Sequence, residues 1–178
     1  MDLGRTDYIV GATMSRPYTG TKDGVARGAR AGTKQFQALM AFLFQMRNLG
    51  IYANRPVRGG SSLSVHATGR ACDLGGSQDK VRAAIDFLYA FRDELGVEEI
   101  HDYRNVWIPG EYGAAYRCSR DNGGLLAGWR VYDKITIGKG GNWVHYEISP
   151  DMADDPDAVT KAFTDILNRI VAALEGNK

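Results

Sequence analysis

Apolar residues recur at helical spacing in well-separated stretches of the chain. Phe36, Leu39, Met40, Leu43 and Met46 share one face of a helix that Thr33 would cap and Gly50 would end. Val81, Ala84, Ile85, Leu88 and Leu95 repeat the pattern behind a Ser77 cap, with Gly96 at the C-terminal end. Asp155-Pro156 opens a last helix, whose inner face carries Val159, Phe163, Ile166, Ile170 and Leu174.

Between these stretches the pattern shortens to strand alternation. Strands are expected at Ile51–Ala53 and Arg70–Leu74, the second stopped by Gly75-Gly76. Others are expected at Glu99–Tyr103, Asn105–Ile108, Arg130–Asp133 and Trp143–Ile148, the last entered through a turn at Gly138–Gly141. The glycine-rich stretch Pro109–Trp129 reads as a long loop. This order predicts an α+β domain, a mostly antiparallel sheet flanked by helices, spanning residues 33–178. Residues 1–32 lack sustained periodicity and read as an irregular N-terminal arm.

Composition narrows the function classes. A chain of 178 residues suits one domain with a sizeable core. Net charge is +1, which gives no electrostatic case for nucleic acid or an anionic membrane. No apolar run approaches the roughly eighteen residues of a membrane span. The N-terminus, Met1-Asp2-Leu3-Gly4-Arg5, lacks the apolar segment of a secretory signal, so synthesis in the cytoplasm is expected. Cys72 and Cys118 form no metal-binding pair pattern and read as reduced, partly buried thiols, although one bridge is compatible with their number.

The candidate chemistry lies in two short segments. Ser64-Val65-His66-Ala67-Thr68-Gly69-Arg70-Ala71-Cys72-Asp73 sets a histidine and an aspartate seven positions apart, with a glycine between them to turn the chain. Asn142-Trp143-Val144-His145-Tyr146-Glu147 supplies another histidine on a strand. Two imidazoles and one carboxylate suit zinc with an open coordination position, the arrangement of hydrolytic rather than structural sites. Ser64 is placed to orient His66 or its loop. Read without further context, His66 and Asp73 are equally a loop histidine and a strand-end acid.

The first segment resembles the S-x-H-x-x-G-x-A-x-D signature of zinc peptidases that cleave D-Ala-D-Ala and L-Ala-D-Glu bonds in peptidoglycan. Those enzymes share a fold with lysostaphin-type peptidases and the hedgehog domain. The likeness covers roughly residues 32–149, and Trp143-Val144-His145 with Glu147 is similar to the family's late-strand motif. It implies Zn2+ held by His66, Asp73 and His145, and a peptidoglycan stem peptide as substrate. It further implies action at the cell wall or carriage in a virion, as in phage-borne members, with the N-terminal arm available to dock virion proteins.

The chain departs from the family where a general base is expected. Family members place a glutamate three residues before the last ligand, or a histidine two before it. Asn142 and Trp143 stand there, and neither an amide nor an indole accepts a proton near neutral pH. Glu147 and His101 are the substitutes considered, with Asp102 and Asp133 behind them, and Arg70 is the candidate to stabilise a developing oxyanion. The alternative is a catalytically silent, metal-binding relative serving as a virion structural or wall-binding protein. Aromatics from Trp107 to Tyr146 suit either glycan stacking or ordinary core anchoring.

Overall fold

The computed structural model describes residues 15–57, 59–104, 113–122, 127–132 and 141–176. Its elements are α1 (Ala31–Leu43), β1 (Arg47–Gly50), β2 (Ala71–Gly75), α2 (Gln78–Ala90) and β3 (Val97–Asp102), then β4 (Ala114–Arg117), β5 (Trp129–Val131), β6 (Trp143–Ile148), α3 (Pro150–Asp154) and α4 (Pro156–Gly176). Six strands form one open antiparallel sheet in the order β1-β2-β6-β3-β4-β5. The expected α+β class with an antiparallel sheet is therefore the class observed. Among the described residues no helix is long and apolar enough to cross a membrane.

Alternation along the strands divides the sheet into two faces. Cys72, Leu74, Ile100, Tyr116, Val144, Tyr146 and Ile148 point into one core with Phe36, Met40, Val81, Ile85, Leu88, Phe163 and Ile166 from the helices. Phe36 is the hinge of that core, its ring 5.3 Å from Tyr146 and 5.0 Å from Phe163. Trp129 joins the same side against Tyr89 and Tyr116. Both cysteines are free and buried, and burial pushes the Cys72 thiol up to about 12. The other face of the sheet carries the polar chemistry.

Several expected boundaries move, each for a packing reason. Thr33 is not the cap of α1 but a buried residue inside it; the helix begins at Ala31 after Arg30. Gly32 allows this early start, because a Cβ there would meet the Met152 carbonyl oxygen at 2.0 Å. The strand expected at Ile51–Ala53 falls earlier, at β1, so Ile51 lies outside the ladder. Leu95 is buried but follows the end of α2, and Leu174 on α4 is 65% exposed. The stretch read as a loop contains β4 and a short 3-10 turn at Cys118–Arg120. A short helix, α3, capped by Ser149, precedes α4 and was not signalled by periodicity. The strand expected at Asn105–Ile108, Trp107 within it, and most of the turn at Gly138–Gly141 lie outside the described residues.

The arm is tied to the domain by buried charge. Arg70, the candidate to stabilise an oxyanion, is instead fully buried, and each of its five N–H groups has an acceptor. Nε donates to Asp23 Oδ2 at 2.9 Å, Nη1 to Glu98 Oε2 at 3.2 Å and to the Ile148 carbonyl, and Nη2 to the Gly20 carbonyl and Asp23 Oδ1. Thr19 Oγ1 donates to Glu98 at 2.6 Å, and Arg16 reaches the Val97 carbonyl. Arg70 therefore fastens the arm and has no donor left for an oxyanion.

Removing one member of such a cluster leaves buried charge uncompensated. Arg70→Met should lower stability by roughly 3–5 kcal/mol, a drop of at least about 6 °C in Tm for a chain of this size. Thermal denaturation followed by circular dichroism reads this, and an unchanged Tm would contradict the assigned role.

Candidate metal centre

The register of β2, β6 and β3 puts three rows of side chains on the polar face. Asp73, His145 and His101 are directly paired across the strands. One step along lie Glu147 and Glu99, also paired, with Arg117 beside Glu99 on β4. On the other side of the histidine row stand Trp143 and Tyr103, stacked with centroids 4.0 Å apart, and Tyr132 parallel to Tyr103 at 6.3 Å.

His66 enters from the segment before β2. Ser64 starts a single 3-10 turn there, its hydroxyl accepting from the His66 backbone N–H at 3.4 Å, so the serine orients the turn rather than the ring. Gly69 closes the turn at φ 74°, where a Cβ would collide with the Gly28 carbonyl oxygen at 2.4 Å. The chain then reverses into β2, and His66 Nε2 comes to 3.3 Å from Asp73 Oδ2. The other Asp73 oxygen lies 2.8 Å from His145 Nδ1.

The remaining ring nitrogens have acceptors of their own. His66 Nδ1 is 2.7 Å from the Ile51 carbonyl oxygen, which can only accept, so Nδ1 carries a proton and Nε2 is the nitrogen turned to Asp73. That acceptor is free because Ile51 is not in the sheet. His145 Nε2 donates to Glu147 Oε1 at 3.2 Å, which leaves Nδ1 to face Asp73. A histidine whose second nitrogen donates to a carbonyl or carboxylate is the usual support of a metal ligand.

Burial and charge agree with this picture. His66, His145 and Glu147 are buried, and Asp73 nearly so. Burial opposes the charged form of Asp73, but hydrogen bonds from His145 and His66 outweigh it and hold the carboxyl well below the usual range. For His145 burial again opposes charge, while Asp73 and Glu147 prevail and lift its pKa to about 10. Glu99 is brought down to about 2 against its burial by His101 and Arg117. The Tyr18 hydroxyl lies 2.9 Å from Glu99 Oε2 and 2.7 Å from Glu147 Oε2; burial, then those two charges, keep it a neutral phenol.

Two donor groups emerge among the described residues: His66, Asp73 and His145, and His101, His145 and Glu147, each set within 4.8 Å. The first fits zinc better. Two imidazole nitrogens and a carboxylate are its customary ligands, and bond lengths near 2.0–2.1 Å put donors about 3.3 Å apart in a tetrahedron. Asp73 and Glu147 address His145 from its two nitrogens, while the Arg117 guanidinium meets Glu99. In the second set Glu147 is already committed to His145 and Tyr18.

Of the expected site residues, His66, Asp73 and His145 converge. His101 joins them edge-on, its ring centroid 5.0 Å from that of His145, with Nε2 3.5 Å from Glu99 Oε1 and Nδ1 against the Tyr132 hydroxyl. Glu147 sits behind His145, on the nitrogen remote from Asp73. Arg70 is elsewhere, Asp102 is buried with Arg104, and Asp133 is outside the described residues. Tyr18, Glu99, Arg117 and Tyr132 were not foreseen. The alternation Glu99-x-His101-x-Tyr103, which mirrors Trp143-x-His145-x-Glu147, was the available signal. The aromatic row turns its faces to its own neighbours, which leaves little face for stacking a sugar.

No protein-family model, curated protein or solved structure matches this chain. The resemblance to zinc peptidases therefore rests on the motif residues themselves.

Protons and metal compete for His145. Zinc uptake between pH 7 and 9, below the raised pKa of about 10, should release at least about one proton per ion, from His145, with any from acidified water adding to it. Apparent affinity should weaken as pH falls through this window. Calorimetric titration in buffers of different ionisation enthalpy reads the proton count, and a count of zero would contradict the assignment. Without metal the sign for stability is fixed as well. The raised pKa of His145 favours folding fully below its ordinary value near 6.5, and that contribution disappears as pH rises through about 10.

Proposed function

We propose that this chain is a zinc-dependent peptidase that cleaves peptidoglycan stem peptides, at a D-Ala-D-Ala or L-Ala-D-Glu bond. The observation that carries the reading is the convergence of His66 Nε2, Asp73 and His145 Nδ1, each imidazole supported at its other nitrogen. Zinc held there would polarise the scissile carbonyl and acidify water beside it. Three ligands would leave a tetrahedral ion one further position for water or substrate. Glu147 holds His145 in orientation by accepting its Nε2–H. His101, the adjacent imidazole, would take the proton of the attacking water at Nδ1 once the Tyr132 hydroxyl beside it gives way, and Glu99 at Nε2 would stabilise the resulting cation. Delivery to the wall or carriage in a virion belongs to the same proposal.

A second reading, a silent metal-binding relative in a virion or at the wall, is favoured by one observation. Asn142 is exposed and Trp143 is stacked on Tyr103, so neither position usually occupied by the base offers one.

Incubation with purified peptidoglycan and mass analysis of released peptides separates the two. Cleavage is expected from the wild type and none from His66→Ala, which should also lose zinc by elemental analysis. His101→Ala should keep zinc and lower kcat by about 10²–10⁴-fold. Absence of fragments from the zinc-loaded protein under all conditions would sink the peptidase reading and leave the silent one.

A further inference from the structure

Beyond the histidine row the same sheet face becomes strongly basic. His101 is paired with Ala115 on β4, and Ala115 with Arg130 on β5. Arg117 stands one step along β4, and Arg120 follows in the 3-10 turn, its Nη2 donating to the Ala115 carbonyl at 3.0 Å. Three arginines thus neighbour Ala115, Arg130 by register, Arg117 along the strand and Arg120 by a hydrogen bond. Glu99 answers only one of them, through two bonds from Arg117 at 3.0 and 3.1 Å. Among the described residues Arg130 is exposed and has no ion pair, and Arg120 Nε is shielded from solvent with no acceptor. Burial first, then the Arg117 charge, work against the charge on Arg120; Glu99 offsets part of this and Arg130 adds to it.

Like charges gathered around an unsatisfied buried donor are costly unless an anion joins them. We propose that Arg120 and Arg130 form a binding site for a carboxylate carried by the peptide substrate, seated beyond Ala115 from His101. This deepens the peptidase reading and depends on it for the word substrate. Planar guanidinium forks suit a carboxylate better than a point charge would. Strands about 4.8 Å apart put the Arg130 backbone roughly 10 Å from His101 and 14 Å from His145. An extended peptide advances about 3.3 Å per residue, so the acid belongs roughly two to four residues from the bond cleaved.

The test is calorimetric titration of the full-length chain with N-acetyl-tetraalanine as free acid and as C-terminal amide. Chelator-treated wild type and His66→Ala are both used, so that the carboxylate has no metal to bind. The acid should bind at least tenfold more tightly than the amide to both. Arg120→Gln/Arg130→Gln should erase the difference, and Arg130→Lys alone should retain part of it, with melting curves confirming that each variant folds. Equal binding of acid and amide, no detectable binding of the acid, or a preference that survives the double substitution each overturns the site. A carboxylate preference in a protein that cuts no peptidoglycan would sink the peptidase reading and leave the anion site standing; cleavage without the preference would do the reverse.

Discussion

Antiparallel pairing of β6 between β2 and β3 is the constraint on which the rest of the site depends. Side chains on one face of a sheet repeat every second residue, so a single register decides three rows at once. With His145 opposite both Asp73 and His101, Glu147 must stand opposite Glu99. A slip of β6 by one residue would send His145 and Glu147 into the core and expose Tyr146 and Val144. The apolar face therefore enforces the polar one: Phe36 against Tyr146 and Phe163 fixes the register that brings the donors together.

Like-charged residues directly opposite each other destabilise a sheet, and Glu99 opposite Glu147 is such a pair. The fold offsets it from several sides. Arg117 takes Glu99 with a fork, His145 donates to Glu147, and Tyr18 from the arm lies between the two carboxylates. The arm is thus part of the polar layer and not an appendage, and the buried cluster of Arg70, Asp23 and Glu98 holds it in place. Buried ionic groups are weak sources of stability but strict about geometry. Here they position a phenol over the acids that support the candidate ligand His145.

Periodicity made the architecture legible. The helices around Phe36, Val81 and Phe163, and the strands at Asp73 and His145, follow from apolar spacing with their caps and glycines. Spacing within Ser64–Asp73 and Asn142–Glu147 pointed to the three converging residues. Boundaries were less visible, because close backbone approach at Gly32 and the withdrawal of Ile51 from the sheet are tertiary facts. Residue type alone misplaced Arg70: a cation beside a candidate site looks like a ligand for substrate until Asp23 and Glu98, remote in sequence, are seen to enclose it. Glu147 lay on the right strand face, yet only the geometry puts it behind the imidazole. Tyr18 and Arg117 carried no sequence signal, since nothing local marks a residue that completes a network across the sheet.

X-ray absorption spectroscopy of the zinc-loaded protein reads the ligand set of the ion itself. A four-coordinate ion is expected, with two imidazole nitrogens and light oxygen ligands at about 2.0–2.2 Å, and no sulfur. In His66→Ala forced to hold zinc by excess metal, one imidazole should vanish from the scattering envelope, while His101→Ala should leave the spectrum unchanged. A spectrum altered by His101→Ala and indifferent to His66→Ala would place the ion on the other side of His145 and contradict the account.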